Sequence, residues 1–137
     1  MPIKVLAIDD DKAMTDLLTL LLKAQGFEVV TANNGEDGIR FIQERNPDLV
    51  LLDLMMNGMN GWAVCNEVRK FSRIPILVLS ALDSPANVAS ALDAGADDYL
   101  VKPVPSGVLV AHINRLTRKR GTSPQIGASY QAASTVT

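Results

Sequence analysis

Apolar residues in this chain come in short unbroken runs separated by longer, periodically apolar segments. The runs are IKVLAI at 3–8, LVLL at 49–52, ILVLS at 76–80 and YLV at 99–101. The first three are too continuous for strands with one wet face. They predict central strands of a parallel sheet covered on both sides. FEVVTA at 27–32 alternates, as an edge strand does. Between the runs, Met14, Leu17, Leu18, Leu21 and Leu22 recur at helical spacing and predict one apolar helix face. Asp11 suits its N-cap and Gly26 its stop. Residues 36–45, 61–71, 85–94 and 106–119 predict four more helices, with Gly95 closing the third of these. Strand and helix thus alternate five times. Parallel strands need such crossovers, so a doubly wound α/β sheet follows.

Length and composition add bounds. A chain of 137 residues, 47% of them hydrophobic, can bury one domain core. The domain is expected over residues 1–120. Residues 121–137 carry no charge and are rich in Ser, Thr, Ala, Gln and Gly, which predicts a disordered tail or linker. A net charge of −2 gives no reason to expect nucleic-acid affinity. The single cysteine cannot close an internal disulfide, and neither a long uncharged apolar run nor signal-peptide architecture is present. A soluble cytoplasmic protein with no membrane contact is the expectation.

Ligands of open α/β sheets sit beyond the carboxyl ends of the strands. There the first strand offers Asp9, Asp10 and Asp11, the third Asp53, the fourth Ser80, and the fifth Lys102 followed by Pro103. The edge strand offers Asn33 and Asn34. A lone Asp after a strand is ordinarily a turn or cap residue, and that is the reading for Asp11. The joint placement is different. Gathered carboxylates raise each other's pKa unless a cation intervenes. Oxygen-only ligands suit a hard ion such as Mg²⁺ and disfavour zinc. Lys102 is expected to neutralise Asp53 at rest. Metal, ammonium and hydroxyl together would clamp a phosphoryl group.

The motifs IDDD at 8–11, DLMM at 53–56 with MNGW at 59–62, VLSA at 78–81 and AGADDYLVKP at 94–103 resemble the receiver domains of two-component response regulators. The resemblance runs from about residue 3 to 119. It implies a flavodoxin-like (βα)₅ fold with strand order 2-1-3-4-5, and phosphorylation of Asp53 by a sensor histidine kinase or phosphotransfer protein. It implies Mg²⁺ held by Asp9, Asp10, Asp53 and the Met55 backbone carbonyl. It makes Ser80 the switch hydroxyl, Tyr99 the switch aromatic and Lys102 the essential lysine. The fourth helix, fifth strand and fifth helix would carry the signal to an output domain or effector. Asn57 stands where the family usually has proline, predicting a looser turn, and Val104 stands where an aromatic is usual. Val108 and His112 replace the charged pair of winged-helix members, which counts against their symmetric dimer. Gly107 in the same helix costs about 1 kcal/mol relative to alanine.

Two other classes compete. An aspartyl-phosphate phosphohydrolase normally needs a second acid two residues past its nucleophile, where this chain has Met55. A receiver-like module working without phosphate would not need the full acid, serine and lysine set. Elsewhere, His112 has no acid at i±4 and reads as a surface or interface residue. Cys65 falls at helical spacing between Trp62 and Val68 and reads as buried packing. Trp62 reads as the anchor of the third helix's start. Arg115, Arg118, Lys119 and Arg120 suit a helix C-terminus, where the macrodipole favours cations.

Overall fold

The computed structural model describes residues 1–118; Lys119, Arg120 and the expected tail lie outside them. In chain order the elements are β1 (Lys4–Ile8), α1 (Lys12–Ala24), β2 (Glu28–Ala32), α2 (Gly35–Arg45), β3 (Leu49–Leu52), α3 (Gly61–Val68), β4 (Ile76–Ser80), α4 (Pro85–Ala94), β5 (Asp98–Val101) and α5 (Ser106–Arg118). The strands form one parallel sheet in the order β2-β1-β3-β4-β5, the flavodoxin-like arrangement expected from the sequence.

Burial explains the unbroken apolar runs. Successive strand residues face opposite sides, and here both sides are covered. Leu6, Ile8, Val50, Leu52, Ile76 and Val78 join a core with Ile42 of α2, Val64, Cys65 and Val68 of α3, and Ala91 of α4. Val5, Ala7, Leu49, Leu51, Leu77 and Leu79 join a second core with Leu18 and Leu22 of α1 and Leu109, Ile113 and Leu116 of α5. Three helices therefore cover one face and two the other.

Local signals set the helix ends. Asp11, Asn34, Asn60 and Ser84 each accept a backbone N–H from the first turn that follows. Gly95, at φ 122°, ends α4 as expected. Two expectations need correction. The third helix stops at Val68 rather than 71, and residues 69–71 continue as hydrogen-bonded turns. The apolar face of α1 is narrower than its leucines suggest. Thr15, Leu18 and Leu22 are buried, whereas Leu17, Leu20 and Leu21 are exposed. The wet face of α1 is rich in leucine, so periodicity alone overstated the buried stripe. Among the described residues, no helix is long and apolar enough to cross a membrane.

Candidate functional site

The sheet register brings the ends of β1 and β3 side by side. Ile8 pairs with Leu52, and the Asp53 N–H donates to the Ile8 carbonyl at 3.0 Å. The residues just beyond are Asp9 and Asp10 on one strand and Asp53 on the other. Carboxylate oxygens of all three lie within 4.8 Å of one another. Asp9 is 4% exposed and Asp53 8%, so this charge gathers with little help from water.

Close packing around Gly61 holds the far side. A Cβ there would lie 2.5 Å from the Asp53 carbonyl oxygen and 2.7 Å from the Leu54 Cα, so any side chain would push α3 off the strand end. The Gly61 N–H donates to the Leu54 carbonyl at 3.0 Å.

Lys102 reaches in from the end of β5. Its Nζ donates to Asp9 Oδ2 at 3.0 Å, while the other Asp9 oxygen accepts the Asp11 N–H at 3.0 Å. The expectation that Lys102 pairs with Asp53 is thus corrected: at rest its contact is Asp9. The ammonium chooses the deepest of the three acids, where an unpaired charge costs most. Asp53 still feels it. Burial raises the Asp53 carboxyl above its ordinary pKa, and the Asp9 charge adds to that. The Lys102 ammonium and the backbone N–H groups of Met55 and Leu54 pull the other way.

Ser80, fully buried at the end of β4, accepts the Leu82 N–H on its Oγ at 3.3 Å. Its carbonyl accepts the Lys102 N–H at 2.9 Å, which fixes the β5 end against β4. Tyr99 packs on the α2–α3–α4 core, and its hydroxyl donates to the Leu82 carbonyl at 2.6 Å. Met55 is 60% exposed at the mouth of the loop.

Two contacts at this end were not anticipated. Asn33 Nδ2 donates to the Asp9 carbonyl at 2.8 Å and to Thr15 Oγ1 at 3.1 Å, tying the β2 end to the acid loop. The Asn57 N–H donates to Asp10 Oδ2 at 2.9 Å. The turn at Asn57 is therefore pinned rather than loose. A side-chain amide beside a strand end was visible in the sequence; a backbone donor was not.

The donor set fits a hard divalent ion. It is all carboxylate, it outnumbers its one ammonium three to one, and no His or Cys belongs to it. Residues 5–114 match the family model described as the response regulator receiver domain. The chain belongs to the response regulator receiver family. It is 40% identical over 126 residues to the transcriptional regulatory protein AfsQ1 of Streptomyces coelicolor, covering 92% of this chain and 56% of that protein. The chain thus spans about half the length of that curated relative. Among solved structures, the BeF₃-activated N-terminal receiver domain of Klebsiella pneumoniae RstA matches with a TM-score of 0.81 and 34% identity, over 84% of this chain and 98% of that one. A two-component response regulator from Clostridium difficile matches with a TM-score of 0.83 and 29% identity, over 88% and 99%. Receiver domains generally bind Mg²⁺ at an acidic pocket, and this receiver has such a pocket in Asp9, Asp10 and Asp53.

Away from the pocket, the structure revises two readings. Trp62 does not only start α3: its Nε1 donates to Ser90 Oγ of α4 at 2.9 Å and bridges two helices. His112 is not a lone surface imidazole. Its Nδ1 lies 2.5 Å from Asp98 Oδ2, and Arg115 donates to the same oxygen. The acid comes from β5, not from the helix, so spacing along α5 could not reveal it. Cys65 is fully buried as expected, and burial pushes its thiol up to about 11.

Proposed function

We propose that Asp53 is the phosphoacceptor of this receiver and that Asp9, Asp10, Asp53 and the Met55 carbonyl hold Mg²⁺ there. The observation that carries this reading is a negatively charged pocket, nearly closed to water, around a carboxylate at a strand end. A bound Mg²⁺ would offset the charge of the acids and of the incoming phosphoryl oxygens.

The chain's own residues supply the rest. An Asp53 oxygen attacks the phosphorus of a donor, in the cell a phosphohistidine of a sensor kinase or phosphotransfer protein. The new O–P bond forms as the P–N bond breaks, and the imidazole leaves with the electron pair. Lys102, drawn from Asp9 by the new charge, pairs with a phosphoryl oxygen. Ser80 turns its hydroxyl from the Leu82 N–H to another. The β4–α4 loop then moves, and with it the Leu82 carbonyl that anchors the Tyr99 hydroxyl. Tyr99 and the face made of α4, β5 and α5 shift between two packings, which an output domain or effector reads. Asp98, His112 and Arg115 pair within the chain on this face, so the interchain Glu–Arg pair of winged-helix relatives has no counterpart at Val108 and His112.

The chemistry is confined to the receiver's own side chain. Water later cleaves the acyl phosphate, and no second substrate is turned over. Incubation of the full chain with acetyl phosphate and Mg²⁺, followed by intact mass measurement, tests this. The wild type gains one phosphoryl group and Asp53→Ala gains none. Equal gain in both proteins would assign the phosphate elsewhere.

A further inference from the structure

The amino ends of the strands carry a second concave region, at the opposite end of the sheet from the acids. A cavity of about 590 Å³ borders β2, the free edge of the sheet. Val29 of its lining packs toward the α1–α5 core and Val30 toward the α2–α3–α4 core, so the cavity wraps the edge strand. Three cations reach it from three elements: Lys4 of β1, Lys23 in the last turn of α1 and Arg45 in the last turn of α2. Glu28 is the one acid in its lining. Among the described residues, no ion pair takes up any of the three cations. The Lys4 Nζ donates to the Arg45 carbonyl at 2.9 Å, and the Arg45 guanidinium lies 5.4 Å from the centroid of the Phe41 ring.

The backbone adds a donor. The Glu28 N–H donates to the Ile3 carbonyl and the Ala32 carbonyl accepts the Asp9 N–H, so these alternate residues face β1. The backbone groups of Val29 and Thr31 therefore point to the open side, without a strand partner. A cation in the last turn of α1 or α2 offsets that helix's dipole, which accounts for each one singly. It does not account for both of them, with Lys4, bordering one partly apolar cavity of ligand size. Three positive charges against one negative leave a surplus of two. A bare inorganic anion would leave most of the volume and the apolar walls unused. We propose that this cavity binds a small organic phosphate, a dianion carried on an apolar or aromatic body. Lys23 and Arg45 hold the phosphate oxygens from the two faces of β2, and the Val29 N–H donates to one of them. Phe27, Val29 and Val30 pack against the body. The site shares no residue with the acid pocket and needs no divalent cation.

Titration of the full chain with AMP in EDTA, followed in ¹H–¹⁵N spectra, tests this without engaging the acid pocket. AMP should move the amides of Val29 and Val30 and leave that of Asp53 in place. Lys23→Gln and Arg45→Gln, both at exposed residues, should each weaken AMP binding about tenfold, the scale of a hydrogen bond to a charged group. Glu28→Gln removes the one opposing charge and should tighten binding about threefold. Lys70→Gln deletes a cation elsewhere, one paired with Glu67 at 2.6 Å, and should change the affinity by less than about twofold. Inorganic phosphate, lacking the body, should bind about tenfold more weakly than AMP. The proposal is overturned if the Val29 and Val30 amides stay still as AMP reaches millimolar concentration. It is equally overturned if Lys70→Gln weakens binding as much as Arg45→Gln, or if inorganic phosphate binds as tightly as AMP.

Discussion

Two clusters of charge, one beyond the ends of β1 and β3 and one between β5 and α5, are built on opposite principles. In the pocket, Asp9, Asp10 and Asp53 share one ammonium, that of Lys102. Between β5 and α5, the single carboxylate of Asp98 is shared by the Arg115 guanidinium and the His112 imidazole, and its other oxygen accepts the Tyr99 N–H at 2.8 Å. The second cluster is complete as it stands and reads as a clamp between a strand and a helix. The first is short of positive charge. Burial makes that shortage expensive, so the pocket gains from a cation or from any rearrangement that brings one. Ionisable residues are found in both clusters; the imbalance of charge is what separates a site from a brace.

If that contrast is right, Mg²⁺ should distinguish the two. Lys102→Ala leaves Asp9 buried without its partner and should lower stability by about 3 kcal/mol in metal-free buffer. Added Mg²⁺ should stabilise this variant more than the wild type, because the emptied pocket is more negative. Urea unfolding with and without Mg²⁺ measures both effects. An Mg²⁺ response no larger than that of the wild type would break the comparison. Asp98→Ala removes the brace and should cost about 1.5 to 3 kcal/mol, the scale of hydrogen bonds to a charged group. Here the loss should be the same with and without Mg²⁺, measured in the same unfolding series.

The smallest effect sharpens the picture from the acid side. Burial raises the Asp53 carboxyl above its ordinary value of 3.8. The folded chain therefore holds this proton at pH values where the unfolded chain has lost it. The stabilisation is fully present below 3.8 and is lost as pH rises through the folded value. In metal-free buffer at pH 7, Asp53→Asn should unfold at a slightly higher temperature than the wild type, and the gap should close as pH falls. A wild type more stable than Asp53→Asn at pH 7 would mean that the ionised acid is not under strain. A site residue that weakens the fold it belongs to is the usual trade of stability for function.

Much of this was legible in the sequence, because the signals were local. The apolar runs of β1, β3 and β4 announce two-sided burial, and Asp11 and Gly95 mark helix ends within a turn. The convergence of Asp9, Asp10, Asp53, Ser80 and Lys102 follows once parallel strands are assumed, since each ends its strand at the same edge. What escaped notice depends on geometry between elements. Lys102 could reach more than one acid, and only depth of burial decides for Asp9. His112 and Arg115 meet Asp98 through the pitch of α5 against β5. The Asn57 donor is a peptide N–H, which leaves no mark in residue type. Leu17 and Leu21 misled because an exposed leucine and a buried one read alike.

The claim on which the rest depends is that the pocket completes its charge with a divalent cation in order to phosphorylate Asp53. Phosphoryl incorporation from acetyl phosphate, followed by intact mass as Mg²⁺ is titrated into metal-free protein, tests it directly. The account predicts no incorporation in EDTA and a rise that saturates along the same curve as Mg²⁺ binding. Incorporation that proceeds undiminished in EDTA would contradict it.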